Sequence, residues 1–222
     1  MHEIHNFPFN KASVQFAPTN IVGDIEYMAR VSNPAGQDAP KLEKGELLKS
    51  LIKRKHWSPL EMLNVVLYVE TTRDIGRQLL RHGFKFQEFS QRYQVVDTNN
   101  FVIREARRQD LKNRQSSIRD MSIDDADWWE KVQTNIANHA KEVYDAAIAQ
   151  GIAKEQARAV LPEGMTMSRM YVQGNIRQWF HYCQLRCGNG TQEEHQDLAN
   201  KCRITLASVC PELFSNMELE DH

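Results

Sequence analysis

Residues 64–93 read NVVLYVETTRDIGRQLLRHGFKFQEFSQRY. The first nine, NVVLYVETT (64–72), are rich in Val and form the clearest strand of the chain. The next segment, TRDIGRQLLRH (72–82), has helical character and sets Gln78 and Arg81 three apart, on one face. Then comes RHGFKFQEFSQRY (81–93), where Arg, His, Lys, Glu and Ser are interleaved with three Phe and a Tyr. In an extended backbone Glu88, Ser90 and Arg92 project from one face, and Phe89 and Gln91 from the other. A strand feeding a helix feeding a dense polar strand makes this a chain of mixed α and β structure. Its chemistry centres on that last stretch.

The flanks add mostly helices. ASVQFA (12–17) reads as a strand and IVGDIEYMARVS (21–32) as a helix, with Ile21, Ile25 and Met28 at helical spacing. EKGELLKSLIKRKH (43–56) is a second helix whose basic end suits the macrodipole. HWSPLEM (56–62) is a turn, because Pro59 bars a helix before it. Phe101–Glu105 reads as a short strand inside a polar, basic excursion spanning about 94–120. Residues 125–151 form a long helix stopped by Gly151, and 153–161 another stopped by Pro162. GNIRQWFHYCQLR (174–186) is aromatic and helical. TQEE (191–194) reads as a capping box, with Thr191 as cap, opening a last helix to about Val209.

The bulk numbers are those of a globular chain: 222 residues, 41% hydrophobic and 26% charged. A single domain over 1–222 accommodates that length. A net charge of −1 provides no global field for nucleic acid or membrane, so any anion site must be local. No run approaches the length of a membrane span, and the first ten residues lack a signal-peptide core, which points to a cytoplasmic location. Cys183, Cys187, Cys202 and Cys210 form no CxxC and read as reduced thiols, with no metal site expected.

Chemistry-bearing patterns narrow the field. GxSxG, GxGxxG, the P-loop and HExxH are all absent. What recurs is Arg beside groups that orient it: Arg81, Arg92, Arg158 and Arg186. A planar fork of donors suits phosphate or a carbonyl–imide edge. Along 175–186, Asn175, Trp179, Tyr182 and Arg186 share one helical face, and Arg177 and His181 another. Spacing alone leads as far as an anion site built from Arg. Surface Arg paired with acids remains open as the plainer reading.

Five ordered segments go further. HWSPLE, RHGFKFQEFSQRY, ARAVLP, NIR and LRCGNGTQ together resemble the flavin-dependent thymidylate synthases, chiefly their phage and cyanobacterial branch, from about His56 to Gln192. The resemblance implies an α+β fold with a mixed α/β core and a flanking helical part, assembled as a homotetramer with active sites shared between chains. It implies conversion of dUMP to dTMP with FAD as cofactor, methylenetetrahydrofolate as carbon donor and NADPH as reductant, in a bacterial or phage-infected bacterial cell. By the same resemblance Gln78, Arg81, Glu88, Ser90, Arg92, Arg158 and Arg186 hold dUMP. Arg186 is the catalytic group facing the uracil; Ser90 and Arg92 clamp the phosphate. His56, Ser58, Glu61, Arg81, His82, Glu88, Asn175, Arg177 and His181 match flavin positions. No cysteine nucleophile is required.

One departure is plain. The family reads RHR where this chain has RHG, and the loop is one residue short at Gly83. Lys85 or one of the Arg104–Arg108 cluster is the available substitute for the missing cation. Two other functions stand beside the first. One is a flavin- and folate-dependent enzyme acting on a different deoxypyrimidine monophosphate, such as dCMP. The other is a non-catalytic nucleotide- or RNA-binding module using the basic 104–114 segment, disfavoured by the acidic remainder and the lack of an RNA-binding aromatic motif.

Overall fold

The computed structural model describes residues 6–33, 36, 45–188 and 190–219. Strands β1 (Lys11–Phe16), β2 (Asn64–Thr72), β3 (Lys85–Glu88) and β6 (Met167–Asn175) form one antiparallel sheet in the order β1-β2-β6-β3. Two short strands, β4 (Arg108–Gln109) and β5 (Ser117–Ile118), pair separately. Helices are α1 (Ile21–Ala29), α2 (Glu46–Lys53), α3 (Arg73–Leu79), α4 (Ile123–Ala149), α5 (Lys154–Ala157), α6 (Ile176–Arg186), α7 (Glu193–Ala207) and α8 (Pro211–Phe214). Single 3-10 turns occupy Ser58–Glu61, Leu80–His82 and Arg158–Val160.

The middle of the sheet is the β2–β6 pair, in unbroken register from Asn64↔Asn175 to Thr72↔Met167. Period-two alternation turns Val65, Leu67 and Val69 of β2, with Met170 and Val172 of β6, into the core. Helices cover that face: Ile75 and Leu79 from α3, Ile176, Trp179 and Tyr182 from α6, Leu198 and Leu206 from α7. Each fully buried large apolar side chain contributes about 1.5–3 kcal/mol. Trp179 also satisfies its indole N–H, which donates to the Val65 carbonyl at 3.1 Å. The opposite face is open, with Tyr171 43% exposed and its ring tilted against Tyr68 at 5.6 Å. A mixed α/β core with a flanking helical part is therefore what the chain forms.

Several expected elements differ. β6 was not expected: its core-facing positions include Ser168 and Gly174, so the hydrophobic alternation that marks a strand is diluted. Phe101–Glu105 is no strand. The Gln133 side chain substitutes for a partner strand there, donating to the Arg104 carbonyl at 2.8 Å and accepting from its N–H at 2.9 Å. The 153–161 helix divides into α5 and a 3-10 turn, and 72–82 likewise into α3 and a 3-10 turn. The first helix stops at Ala29, not Ser32. The second starts at Glu46; positions 43 and 44 lie outside the described residues. Lacking a local cap, α2 is capped from α1, where buried Glu26 accepts from the backbone N–H of Gly45 and Leu48, both at 3.1 Å. The long helix begins two residues earlier, capped by Ser122, whose hydroxyl accepts from Asp125 N–H at 3.1 Å. The 191–194 capping box does not form. The cap position belongs to Gln192, Thr191 donates back to the Leu185 carbonyl, and Glu194 faces Arg107 instead. The helix it precedes ends at Ala207 rather than Val209. Among the described residues no helix is long and apolar enough to cross a membrane.

Candidate active site

The capping box that does form lies at the junction of β6 and α6. Asn175 accepts from the Gln178 N–H at 2.8 Å, and Gln178 accepts from the Asn175 N–H at 2.9 Å. Gln178 then donates to the Gly83 carbonyl at 2.9 Å. Gly83 sits at φ +71, the left-handed region where a side chain is strained. The short loop thus turns on a glycine and is tied to the start of α6.

Around this junction lies a groove of about 320 Å³, lined by Glu61, His82, Asn175, Arg177, Gln178, His181, Tyr182 and Leu185. Five of the residues matched to flavin positions meet here: Glu61, His82, Asn175, Arg177 and His181. Arg177 is ion-paired to Glu61, fixing α6 to the 3-10 turn. Trp57 joins the two elements more firmly. Its ring lies 5.6 Å from Phe180 and edge-on to His181 at 4.5 Å. His56 and Ser58, on either side of Trp57, are exposed and do not line the groove.

Behind the groove lies a polar cluster between the Leu80–His82 turn, α6 and α7. The Arg186 Nε–H donates to His82 Nε2 at 3.1 Å. Burial, then the Arg186 and Arg81 cations, push the His82 pKa down to about 4, so the ring is neutral and can accept that bond. Burial lowers Arg186 from its ordinary value; Tyr182 opposes this and Arg81 adds to it. Several arginines face acids: Arg73–Glu88, Arg92–Glu155, Arg104–Asp74, Arg107–Glu193, Arg108–Asp120 and Arg119–Glu105. Among the described residues no carboxylate lies within ion-pair distance of Arg81, Arg158 or Arg186. Cations kept free of acids are what an anionic ligand needs. Arg104, Arg107 and Arg108, by contrast, each pair with an acid of the same chain.

Gln78 belongs to the same cluster. Its Oε1 lies 2.9 Å from His195 Nδ1, and its Nε2 donates to Gln192 Oε1 at 2.8 Å. His195 was missed by sequence reasoning; a single histidine inside a helix carries no pattern. Burial, then Arg186 and His82, lower its pKa to about 3.

The remaining nucleotide positions fall elsewhere. β3 ends at Glu88, and residues 90–94 turn, with Tyr93 and Gln94 N–H both donating to the Ser90 carbonyl. Glu88, Ser90 and Arg92 therefore do not share the face of one strand. Glu88 accepts from Arg73 at 3.1 Å and from Ser168 at 2.8 Å. Ser90 lines an open groove with Glu88, Tyr68, Arg169 and Tyr171. Arg92 and Arg158 converge on Glu155, Arg92 on its carboxylate at 3.1 Å and Arg158 on its carbonyl at 3.4 Å. All four cysteines are buried thiols outside any disulfide. Burial raises the pKa of Cys183 and Cys202, which makes poor nucleophiles of both.

Comparison with known proteins identifies the family. Residues 17–212 match the family described as thymidylate synthase complementing protein. A probable flavin-dependent thymidylate synthase of Paramecium bursaria Chlorella virus 1 is 48% identical over 196 residues, covering 87% of this chain and 89% of that one. A flavin-dependent thymidylate synthase of Synechocystis sp. is 40% identical over 202 residues, covering 90% of this chain and 91% of that one. In structure the chain is similar to a UMP/dUMP methylase, PolB from Streptomyces cacaoi, solved with 5-Br dUMP. The TM-score is 0.76 at 23% identity, with 96% of each chain covered.

Proposed function

The chain belongs to the thymidylate synthase complementing protein family, and on that premise we propose that it is a flavin-dependent thymidylate synthase, converting dUMP to dTMP with methylenetetrahydrofolate as carbon donor and NADPH as reductant. The observation that carries this reading is Arg186: a half-buried cation, faced by a neutral histidine and by no acid among the described residues, behind a groove that gathers five flavin-matched residues.

The residues of that groove fit part of FAD. A guanidinium, two imidazoles and a carboxylate, beside the Trp57 ring, offer the donors, acceptors and flat surfaces that a flavin and its phosphates require. When bound, FAD supplies the hydride. The chain's own residues orient and polarise the nucleotide. Arg186, its plane held by His82, stabilises negative charge on the pyrimidine as hydride arrives. A preorganised donor of this kind contributes on the order of 3–4 kcal/mol. Gln78 and Arg81 flank it. Ser90, Arg92 and Arg158 hold the phosphate, and Glu88 meets the sugar. His56 and Ser58 contact the flavin from outside the groove. No thiol takes part.

Base-edge donors and phosphate donors occupy different surfaces of one chain. A complete site therefore calls for association, and we infer a homotetramer whose chains share their sites. The functional test is product analysis with dUMP, dCMP and UMP offered separately alongside FAD, NADPH and methylenetetrahydrofolate. dTMP from dUMP is expected; a methylated product from dCMP alone would move the enzyme to the related activity, and no product from any of the three would overturn the reading.

A further inference from the structure

A hydrogen-bonded chain runs from an ion pair on α7 to the amide of Gln78, and its direction is set at one end. Glu194 is buried and paired to Arg107. Its Oε2 faces Gln192 Nε2 at 3.0 Å. An ionised carboxylate can only accept, so Gln192 donates here and turns its Oε1 towards Gln78. Gln78 Nε2 must then donate to Gln192 Oε1, at 2.8 Å, which leaves Gln78 Oε1 to accept from His195 Nδ1 at 2.9 Å. The direction passes unbroken through three side chains. It ends by placing the imidazole proton on Nδ1 and leaving Nε2 as a bare lone pair, and that nitrogen is buried with no partner.

From this geometry we propose that His195 is a positioning residue for the nucleotide: it fixes which end of the Gln78 amide faces the bound pyrimidine nucleotide. An amide pinned at both ends has one N–H and one lone pair left for a ligand. Gln192 holds its nitrogen end and His195 its oxygen end; with the imidazole gone the amide is held at one end only and can swing or flip, exchanging donor for acceptor. That exchange is also the difference between the uracil and cytosine edges. Among the described residues the imidazole is the one donor to Gln78 Oε1, so it alone holds that end of the amide. The ring stays neutral in this role because burial and the adjacent Arg186 cation disfavour its charged form. The Tyr182 and His82 rings, 5.7 and 6.4 Å away, close the remaining sides.

The proposal rests on nucleotide binding at Gln78, and the experiment separates the two ideas. FAD-loaded wild type, His195→Leu and His195→Asn are titrated with dUMP and with dCMP by calorimetry. His195→Leu, which removes the donor, is expected to weaken dUMP binding about tenfold, corresponding to about 1.4 kcal/mol, and to narrow the dUMP/dCMP ratio. His195→Asn, whose amide N–H can occupy the Nδ1 position, restores both. Should the Leu variant fold poorly, Gln192→Met breaks the chain at the other end of Gln78 and is expected to shift the ratio in the same direction. Heteronuclear NMR adds an independent reading, since the wild-type His195 ring must be protonated on Nδ1 at neutral pH. A folded His195→Leu or Gln192→Met with the wild-type ratio, or an Nε2-protonated ring, overturns the positioning role alone. A wild type that binds neither nucleotide overturns the dUMP reading, and this proposal with it.

Discussion

At the residue scale, the division of labour among arginines is testable. Arg186 is held by His82 and faces no acid, whereas Arg92 is exposed and leans on Glu155. Arg186→Ala is expected to slow flavin oxidation in the presence of dUMP and folate by about a hundredfold or more, with FAD occupancy nearly unchanged. Arg92→Ala is expected chiefly to weaken dUMP binding. Single-turnover flavin oxidation and nucleotide titration on both variants check this, and equal effects of the two substitutions on both readouts would sink the assignment. The histidines add a pH dependence. In the unfolded chain each titrates near 6.5, but folded His195 and His82 sit at about 3 and about 4. Between those limits the unfolded chain binds protons that the folded one does not, so stability falls as pH drops from about 6.5 towards 4 and is unaffected by these groups above that window. The charged groups around them are Arg186, Arg81 and Glu194. Urea midpoints at pH 7.5 and pH 5 are expected to differ less in His195→Asn than in wild type; identical differences would show that His195 does not titrate in this range. Arg186 and His82 were legible because they stand in dense motifs. His195 and Gln192 were not, because their roles arise from a hydrogen-bonded chain that joins α3 to α7 across more than a hundred residues of sequence.

At the element scale, what was read correctly and what was missed follow from one rule: apolar periodicity reveals an element only where its buried face is apolar. β2 matches its expected bounds because Val65, Leu67 and Val69 all point inward. β6 is as long, yet its inward row includes Ser168, which serves Glu88, and Gly174, which serves Phe84. The expected extended run to Arg92 failed for a related reason: Phe89 still donates its N–H to the Arg169 carbonyl of β6, but its side chain and Val96 pack towards α4 and the chain turns after Ser90. Gly174 shows how closely β6 and the site are fitted. A Cβ there would meet the Phe84 ring at 2.5 Å and Trp179 Nε1 at 3.0 Å. Phe84 in turn packs on Trp179 at 4.3 Å and edge-on to Tyr182 at 5.6 Å, beneath His82. Gly174→Ala is thus expected to destabilise the fold by about 1–3 kcal/mol through overpacking, and to weaken FAD binding by displacing the His82 turn. Urea denaturation and flavin titration test the two effects; a variant as stable as wild type would mean that Phe84 yields without cost.

At the scale of the whole molecule, the single chain leaves surfaces that its own core does not cover. α4 runs for 27 residues yet buries only Gln133, Ala137, Ala140 and Tyr144. Trp128, Ile136 and Val143 lie within about 80° of one another around the helix, beside that buried stripe, and are 61%, 48% and 36% exposed. The sheet's uncovered face adds Phe16 and Tyr171, at 58% and 43%. None of this was readable from the sequence: composition and net charge are ordinary, and the periodicity of a helix does not distinguish a face buried within a chain from one buried between chains. On the proposed reading, that uncovered surface lets association bring the Arg92–Arg158 pair of one chain to the Arg81–Arg186 pair of another. The expected species in solution is therefore a tetramer of the 25.8 kDa chain. Ile136→Glu, which places a charge on the apolar stripe without touching either arginine group, is expected to yield smaller species with lost turnover and weakened FAD binding, while the circular dichroism of the folded chain persists. Light scattering coupled to size exclusion, run with a flavin titration on the same fractions, makes the comparison. If the variant dissociates and keeps full activity, each chain carries a whole site, and the two arginine groups have to be joined by motion within one chain instead. If it stays tetrameric and active, α4 is not the interface, and the open sheet face becomes the surface through which the chains meet.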